Sequence, residues 1–334
     1  MNNRLFLIIA TAACLGSFTA CSQDNDIVVP DGDLKAAISF NVNIGQIPDP
    51  QVTMRGASTD DTATGGYTFK GDELMAVSVV GVANSSRSTT VADVKEYRVE
   101  VGNGGETTGS ARSLTYTGTA TDAFQWLSLT EQIKIKAWSF GTTDAPGTTV
   151  PTSFSIQTTQ SGDYVKELLY SPEAIKSYTS SAIEIPLYHQ LARVVVKVTG
   201  TIASDVSVSS VTIGSSTTNK IPTSATFAEP ASGNYGSWSN QGTDGTITAK
   251  KEADNVFSAV IIPYDGKQTG ATYYKQNDKF IVITTSRGVY AYSLASSLKI
   301  EPGKQYTFNI TDLNQIDLKV KVTKWTSTSE GIDL

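Results

Sequence analysis

Apolar and polar residues alternate with a period of two along much of this chain, beginning near residue 36. Four apolar residues of the first alternating segment fall on one face: Ile38, Phe40, Val42 and Ile44. Such alternation predicts a strand with one buried face. The segment from Met54 to Gly66 is rich in Ser, Thr, Asp and Gly and has little to bury. We therefore expect it to be an exposed loop.

Short apolar or alternating segments recur to the end of the chain, separated by Gly, Pro, Ser and Thr. The predicted strands are 74–82, 94–101, 114–119, 133–140, 154–158, 191–198, 206–213, 256–262, 279–285, 289–294, 305–310 and 316–322. Residues 165–177 favour a short helix, which Pro172 interrupts. Many short strands with little helix predict an all-β protein of two β-sandwich domains in tandem, divided near Ile185-Pro186.

The last two predicted strands each place their apolar residues on one face. These residues are Tyr306, Phe308 and Ile310 in the first strand and Ile316, Leu318, Val320 and Val322 in the second. The short polar linker 312–315 makes the two strands a plausible hairpin.

The N-terminus has the features of a bacterial lipoprotein export signal. Arg4 is followed by an apolar stretch that begins Leu5-Phe6-Leu7, and Phe18-Thr19-Ala20-Cys21 places small residues before a cysteine. This pattern predicts a signal peptide over residues 1–20 and an acylated Cys21 that anchors the precursor to a membrane. The alternative is an ordinary secretion signal in which Cys21 is incidental. Because Cys14 leaves with the signal, disulfides are excluded in the folded part.

Composition narrows the possible chemistry. The net charge is −6 with no basic block, which argues against a nucleic-acid partner. His189 is the single histidine and has no adjacent catalytic signature, so we interpret it as a structural residue at a strand entrance. The residues indicate no metal, no cofactor and no enzymatic activity. The four tryptophans could form a sugar platform if exposed, although core packing is the better interpretation of Trp138 and Trp325.

Several short motifs follow one another in a fixed order. After the export signal and Arg55 come Gly71-Asp72 before an apolar strand, Ala137-Trp138 within a strand, and His189-Gln190-Leu191-Ala192-Arg193-Val194 at the start of the second half. Two alternating strands and Trp325 end the series. In this order the motifs resemble the fimbrillin family, the lipoprotein precursors of type V pilus subunits. The resemblance covers nearly the whole chain.

The resemblance implies transthyretin-like β-sandwiches and a first strand that an extracellular trypsin-like protease removes after an arginine. The next subunit then fills the opened groove with a strand of its own. Such a protein is first a lipid-anchored precursor at the cell outer membrane, and then part of an extracellular fimbrium that supports cell adhesion. Its partners are other pilin subunits.

On this resemblance the chain divides into four parts. Residues 1–20 are the signal peptide, 21–55 the tether and removable strand, 56–185 the first sandwich and 186–334 the second. Arg55 and Gly56 flank the candidate cleavage site, and residues 316–325 form the candidate donor strand. The alternatives are that Arg55 is an ordinary loop arginine and that the last strand stays with its own domain.

A different class of function stays open at this stage. The same β-sandwiches could form a surface lipoprotein that binds a glycan or host ligand without polymerising. A removable first strand beside a cleavable arginine is what distinguishes the pilus subunit, since a static binding protein needs neither.

Overall fold

A computed structural model describes most of the chain from residue 36 onward. The described residues are 36–44, 69–82, 85–101, 111–162, 165–198, 206–215, 219–239, 241–264, 273–311, 317–318, 320–325 and 332–333. Cys21, Arg55, Gly56 and Ile316 lie outside them. For the strands within 317–333, which include Leu318, Val320 and Val322, only backbone pairing is described.

The described residues form an all-β structure, as predicted. The strands up to residue 189 are β1 (Ala36–Ala37), β2 (Phe40–Ile44), β3 (Leu74–Gly81), β4 (Asp93–Val99), β5 (Arg112–Tyr116), β6 (Gln125–Trp126), β7 (Gln132–Ser139), β8 (Ser153–Ser155), β9 (Leu169–Ser177) and β10 (Ile183–His189). A single turn of 3-10 helix spans Ala120–Asp122. No helix among the described residues is long and apolar enough to cross a membrane.

The later strands are shorter on average and more numerous. They are β11 (Ala192–Val198), β12 (Val208–Ile213), β13 (Ile221–Pro222), β14 (Ser224–Ala228), β15 (Ser237–Ser239), β16 (Asp244–Gly245), β17 (Ile247–Thr248), β18 (Lys250–Ala253), β19 (Val256–Ile261), β20 (Lys279–Thr285), β21 (Gly288–Leu294), β22 (Lys304–Ile310), β23 (Asp317–Leu318), β24 (Val320–Lys324) and β25 (Ile332–Asp333).

Seven strands of the first half close into a barrel in the order β10-β2-β5-β4-β3-β7-β9. Its interior is filled by apolar side chains that alternate with polar ones along each strand, as the period of two requires. β2 is therefore an interior member of a closed ring of strands and has a neighbour on each side.

The second half packs two larger sheets. One has six strands in the order β18-β19-β11-β22-β24-β25, and the other has five in the order β17-β12-β20-β21-β23. Side chains from both sheets share one core, in which Tyr306, Phe308 and Ile310 lie on the buried face predicted for their strand. β22 and β24 pair antiparallel, but β23 lies between them in sequence and pairs with the other sheet, so only part of the predicted terminal hairpin is present.

The short helix predicted over residues 165–177 is wrong. The structure has strand β9 there, and its pairing with β7 changes register between Ile135 and Ala137. Pro172 lies opposite that irregularity, where a residue without an N–H does not interrupt the ladder. The mixed apolar spacing arises because the bulge shifts which side chains point inward.

The chain crosses between the two halves more than once. β8 pairs with β14 rather than with any barrel strand, and Phe154 belongs to the second core. The chain then returns to the barrel through β9 and β10. The predicted division at Ile185-Pro186 falls inside β10, and the division into two domains stays a prediction.

Candidate functional site

Strand β2 occupies a slot between two strands that are distant in sequence. It pairs in parallel with β10, from Phe40 opposite Ile183 to Ile44 opposite Leu187. On its other side it pairs antiparallel with β5, with Asn41 opposite Ser113. Without β2, both β10 and β5 would have unpaired backbone groups along the same opening.

The inner face of β2 is almost completely buried. The exposed fractions are 1% for Phe40, 0% for Val42 and 5% for Ile44, and Ile38, two residues before the strand, is 5% exposed. Burying one such side chain stabilises the fold by about 1.5–3 kcal/mol. The strand therefore supplies a substantial part of the barrel core.

Phe40 is the largest side chain that β2 contributes to that core. Its ring makes edge-to-face contacts with Tyr97 at 5.3 Å and with Phe124 at 6.2 Å between ring centroids. Burial raises the pKa of Tyr97 to about 12, so its hydroxyl stays neutral at physiological pH. The pocket for Phe40 is thus formed by uncharged aromatic rings.

The end of the slot where β2 begins is fixed by backbone hydrogen bonds. The N–H of Ile38 donates to the carbonyl of Phe124 at 2.8 Å, and the N–H of Ile183 donates to the carbonyl of Ser39 at 2.8 Å. Just before β2, Ala36 pairs with Trp126. A strand in this slot is therefore held along its length by main-chain bonds, which do not depend on its sequence.

The outer face of β2 is polar and hydrogen-bonded to both neighbours. The Asn41 side-chain amide donates to Glu184 Oε1 at 2.8 Å, and Ser113 Oγ donates to Asn41 Oδ1 at 3.4 Å. β2 thus fills a strand-shaped groove with an apolar floor and a polar rim. The predicted strand is present, and its removal stays a prediction.

A tight turn at Gly71 precedes β3. Gly71 has φ +97°, and an added Cβ would lie 2.5 Å from the Cα of Val101, so only glycine fits. The carboxylate of Glu73 accepts hydrogen bonds from the N–H groups of Lys70 at 2.7 Å and Gly71 at 2.8 Å. Burial raises the pKa of Glu73 to about 7, against the lowering effect of these hydrogen bonds.

A second buried carboxylate organises the loops beside β7. Glu131 is 1% exposed; it pairs with the Arg87 guanidinium at 2.8 Å and accepts a hydrogen bond from the Leu127 N–H at 2.7 Å. The sequence did not single out Arg87, Glu73 or Glu131 as candidate functional residues. Nothing in their local pattern distinguishes them from solvated loop charges.

His189 is structural, and it lies at the last residue of β10 rather than at a strand entrance. It is 3% exposed, and its Nδ1 lies 2.5 Å from Glu167 Oε2. Its ring stacks on Trp325 with a centroid distance of 3.9 Å and an interplanar angle of 11°. The side chains of Glu167, His189 and Trp325 thus connect the end of β10 to the residue that follows β24.

All four tryptophans are buried. The exposed fractions are 1% for Trp126, 1% for Trp138, 7% for Trp238 and 3% for Trp325. None can serve as a stacking platform for a sugar in this conformation. Among the described residues, no group of three or more His, Cys, Asp or Glu side chains could hold a metal ion.

The candidate donor strand lies within the second half of its own subunit. β24 pairs antiparallel with β22, with Tyr306 opposite Val322, and the Trp325 N–H donates to the Gly303 carbonyl at 2.8 Å. β23 pairs in parallel with β21 in the other sheet, so the predicted single strand 316–322 is divided between two sheets. A role as donor stays a prediction.

Comparisons with known proteins agree with the all-β architecture. A structure of a candidate cell adhesion protein from Bacteroides uniformis is 12% identical, with 87% of this chain and 98% of that chain covered and a TM-score of 0.54. A candidate cell adhesion protein from Bacteroides ovatus is 14% identical, with 90% and 98% covered and a TM-score of 0.53. At these identities the likeness establishes the fold alone.

The sequence comparisons identify the family. A search of curated proteins finds no match. The family model described as fimbrillin-like matches residues 59–325, which include the Gly71-Asp72 turn and Trp325. Because this match spans most of the chain, the protein belongs to the fimbrillin-like family.

Proposed function

We propose that this protein is a structural subunit of a fimbrium that supports cell adhesion. It is exported as a lipoprotein and acylated at Cys21, which anchors the precursor to the outer membrane. A trypsin-like protease cleaves between Arg55 and Gly56, and the released β2 leaves the groove. A strand from the next subunit, Ile316–Trp325, then fills the groove, and repetition builds the extracellular fimbrium.

The position of β2 is the observation that carries this proposal. It lies between β10 and β5, buries Phe40 and Val42, and is joined to the rest of the first half only through the segment that contains Arg55. Loss of β2 would leave two unpaired strand edges and an uncovered apolar floor. A strand donated by a neighbour restores both the ladder and the core.

Family membership supports a role in fimbriae and adhesion over a catalytic one. The family match begins at residue 59, so β2 and Arg55 both precede the matched segment. The competing proposal of a glycan-binding lipoprotein loses its specific support, because the four tryptophans are buried. No observation on the described residues favours it.

Limited proteolysis tests the proposal directly. Brief trypsin treatment of residues 22–334 should cut first at Arg55 and then produce ladders of oligomers that heating in detergent dissociates. Arg55→Ala should abolish both the early cut and the ladders. Arg287→Ala is the matched control, since Arg287 is exposed in the β20–β21 turn and should leave both results unchanged.

A cut protein that stays monomeric, with its first segment released, would refute polymerisation by strand exchange. A first cut elsewhere, with ladders unaffected by Arg55→Ala, would refute the assignment of the cleavage site.

A further inference from the structure

The rim of the β2 groove carries an acidic residue on β10, the strand that pairs in parallel with β2. Glu184 lies directly opposite Asn41 in the β10–β2 register, and its Oε1 accepts the Asn41 side-chain hydrogen bond at 2.8 Å. Glu184 is exposed. Across the groove, the residue opposite Asn41 on β5 is the uncharged Ser113. The native β2 thus places a neutral amide against a carboxylate.

The proposed donor places a cation at the equivalent point. Asn41 is the midpoint of the four apolar residues Ile38 to Ile44, and Lys319 is the midpoint of Ile316 to Val322. If the four apolar donor residues take the four inward positions, Lys319 faces Glu184 whichever way the donor strand runs. The symmetry of the alternating pattern makes this independent of strand direction.

We propose that Glu184 determines which strand the groove accepts, by forming an ion pair with Lys319 of a second copy of this chain. The inference rests on the proposed strand exchange and names a contact that favours the incoming strand over β2. The departing strand offers Glu184 a hydrogen bond from a neutral amide, whereas the incoming strand offers one from an ammonium group, which adds the attraction between opposite charges. Both strands offer main-chain pairing and apolar side chains, and the rim adds an attraction that only the incoming strand has.

The strand that leaves and the strand that enters also differ beyond this position. The first strand carries the uncharged Ser39, Asn41 and Asn43 on its outer face, whereas the donor carries Asp317, Lys319 and Lys321 and so has a net charge of +1 there. An outward lysine next to an acidic rim is attracted at low ionic strength and screened at high ionic strength. Polymerisation should therefore slow with added salt.

Charge reversal tests the contact in the trypsin-cut chain of residues 22–334. Glu184→Lys and Lys319→Glu should each slow ladder formation about fivefold or more, since each places like charges opposite one another. The double variant Glu184→Lys with Lys319→Glu should return to within about twofold of the wild-type rate. Glu173→Lys, an equal charge change at an exposed residue of β9, should leave the rate unchanged.

Glu184→Gln removes the charge without disturbing folding, because the glutamine amide oxygen can still accept the Asn41 hydrogen bond. It should slow assembly about two- to fivefold at low ionic strength and lose that difference at high ionic strength. Single variants that assemble at the wild-type rate, or a double variant that does not recover, would overturn the inference and leave strand exchange standing. Wild-type protein that never assembles after cleavage would overturn both.

Discussion

Individual buried carboxylates fix the ends of strands in this protein. Glu73, Glu131 and Glu167 are 0%, 1% and 3% exposed. Each accepts hydrogen bonds from backbone or side-chain groups that belong to a neighbouring loop or strand. Because a buried polar group left without a partner costs about 1–3 kcal/mol, each carboxylate requires its loop to keep one conformation.

Glu73 should make stability depend on pH. Its folded-state pKa is about 7, against an ordinary value of 4.5, chiefly because of burial. Between pH 4.5 and about 7, the folded protein therefore keeps a proton on Glu73 that the unfolded chain releases. The stabilisation that this proton gives is complete below pH 4.5 and is lost as the pH rises to about 7. By the usual conversion the loss is at most about 3 kcal/mol. Denaturant unfolding at several pH values measures it.

The matched variants for this prediction are Glu73→Gln and Glu173→Gln. The first removes the titrating group and should flatten the decline in unfolding free energy over that pH range. The second removes an exposed carboxylate of β9 and should leave the decline unchanged. An equally steep decline in Glu73→Gln would show that another group is responsible.

At the scale of single elements, β2 stabilises the barrel although a long segment of the chain separates it from the next barrel strand, β3. Its partners β10 and β5 lie far along the chain, and every inward side chain it carries is buried. The rest of the barrel forms an unbroken series of antiparallel neighbours from β5 to β9. The barrel therefore has one seam that a separate strand can close.

Phe40→Ala should separate the stability of the precursor from that of the assembled protein. Removing a buried phenylalanine side chain costs about 3–5 kcal/mol, so the uncut chain should unfold at lower denaturant concentration. After cleavage, the released strand should leave faster and ladders should form sooner. The assembled oligomers should keep wild-type heat resistance, since they no longer contain Phe40.

Phe124→Ala provides the comparison, because Phe124 contacts Phe40 from the part of the chain that remains. It should weaken both the precursor and the oligomers. Oligomers weakened to the same degree by Phe40→Ala would show that β2 stays in the assembled form.

Local pattern predicted the strands whose two faces differ clearly. The alternation of Phe40 and Val42, and of Tyr306 and Phe308, needed only the period of a half-buried strand. The short strands β13 to β18 were not predicted, because segments of two to five residues rich in Ser, Thr and Gly carry too few apolar positions to show a period. β9 was missed because its proline lies at a bulge.

Pairing between distant residues could not be predicted from the sequence. Asn41 and Glu184 are 143 residues apart, and no local rule places them opposite one another. The burial of Glu73 and Glu131 could not be predicted for a related reason, because it depends on which distant strands cover each turn. The lipid anchor and the cleavage site stay sequence-based predictions.

At the scale of the whole molecule, the two halves are joined by more than a linker. Phe154 packs 6.1 Å from Trp238 in the second core, although the strands on either side of it in sequence belong to the barrel. Lys136 of the barrel pairs with Glu229 beyond β14 at 2.7 Å. Gln190, between β10 and β11, receives the Gly236 N–H at 2.8 Å. These contacts tie both cores to one another.

We expect the two halves to unfold in a single calorimetric transition. Phe154→Ala should lower the free energy of unfolding by about 3–5 kcal/mol and shift that one transition as a whole. Ser155→Ala, at the exposed neighbouring position, should have little effect. Two transitions, of which only one moves, would show that the halves unfold independently.

The direct continuation of β10 into β11 has a mechanical consequence for a filament. On the proposed assembly, tension enters a subunit through the strand beside β10 and leaves at the end of β22, where the chain continues into the donated strand. Between these points lie only Gln190-Leu191 and the parallel ladder of β11 with β22. Pulling would load these ladders largely in shear, so that many hydrogen bonds resist together. The remaining sheets would be spared the strain, and their loops would be free to vary without weakening the fibre.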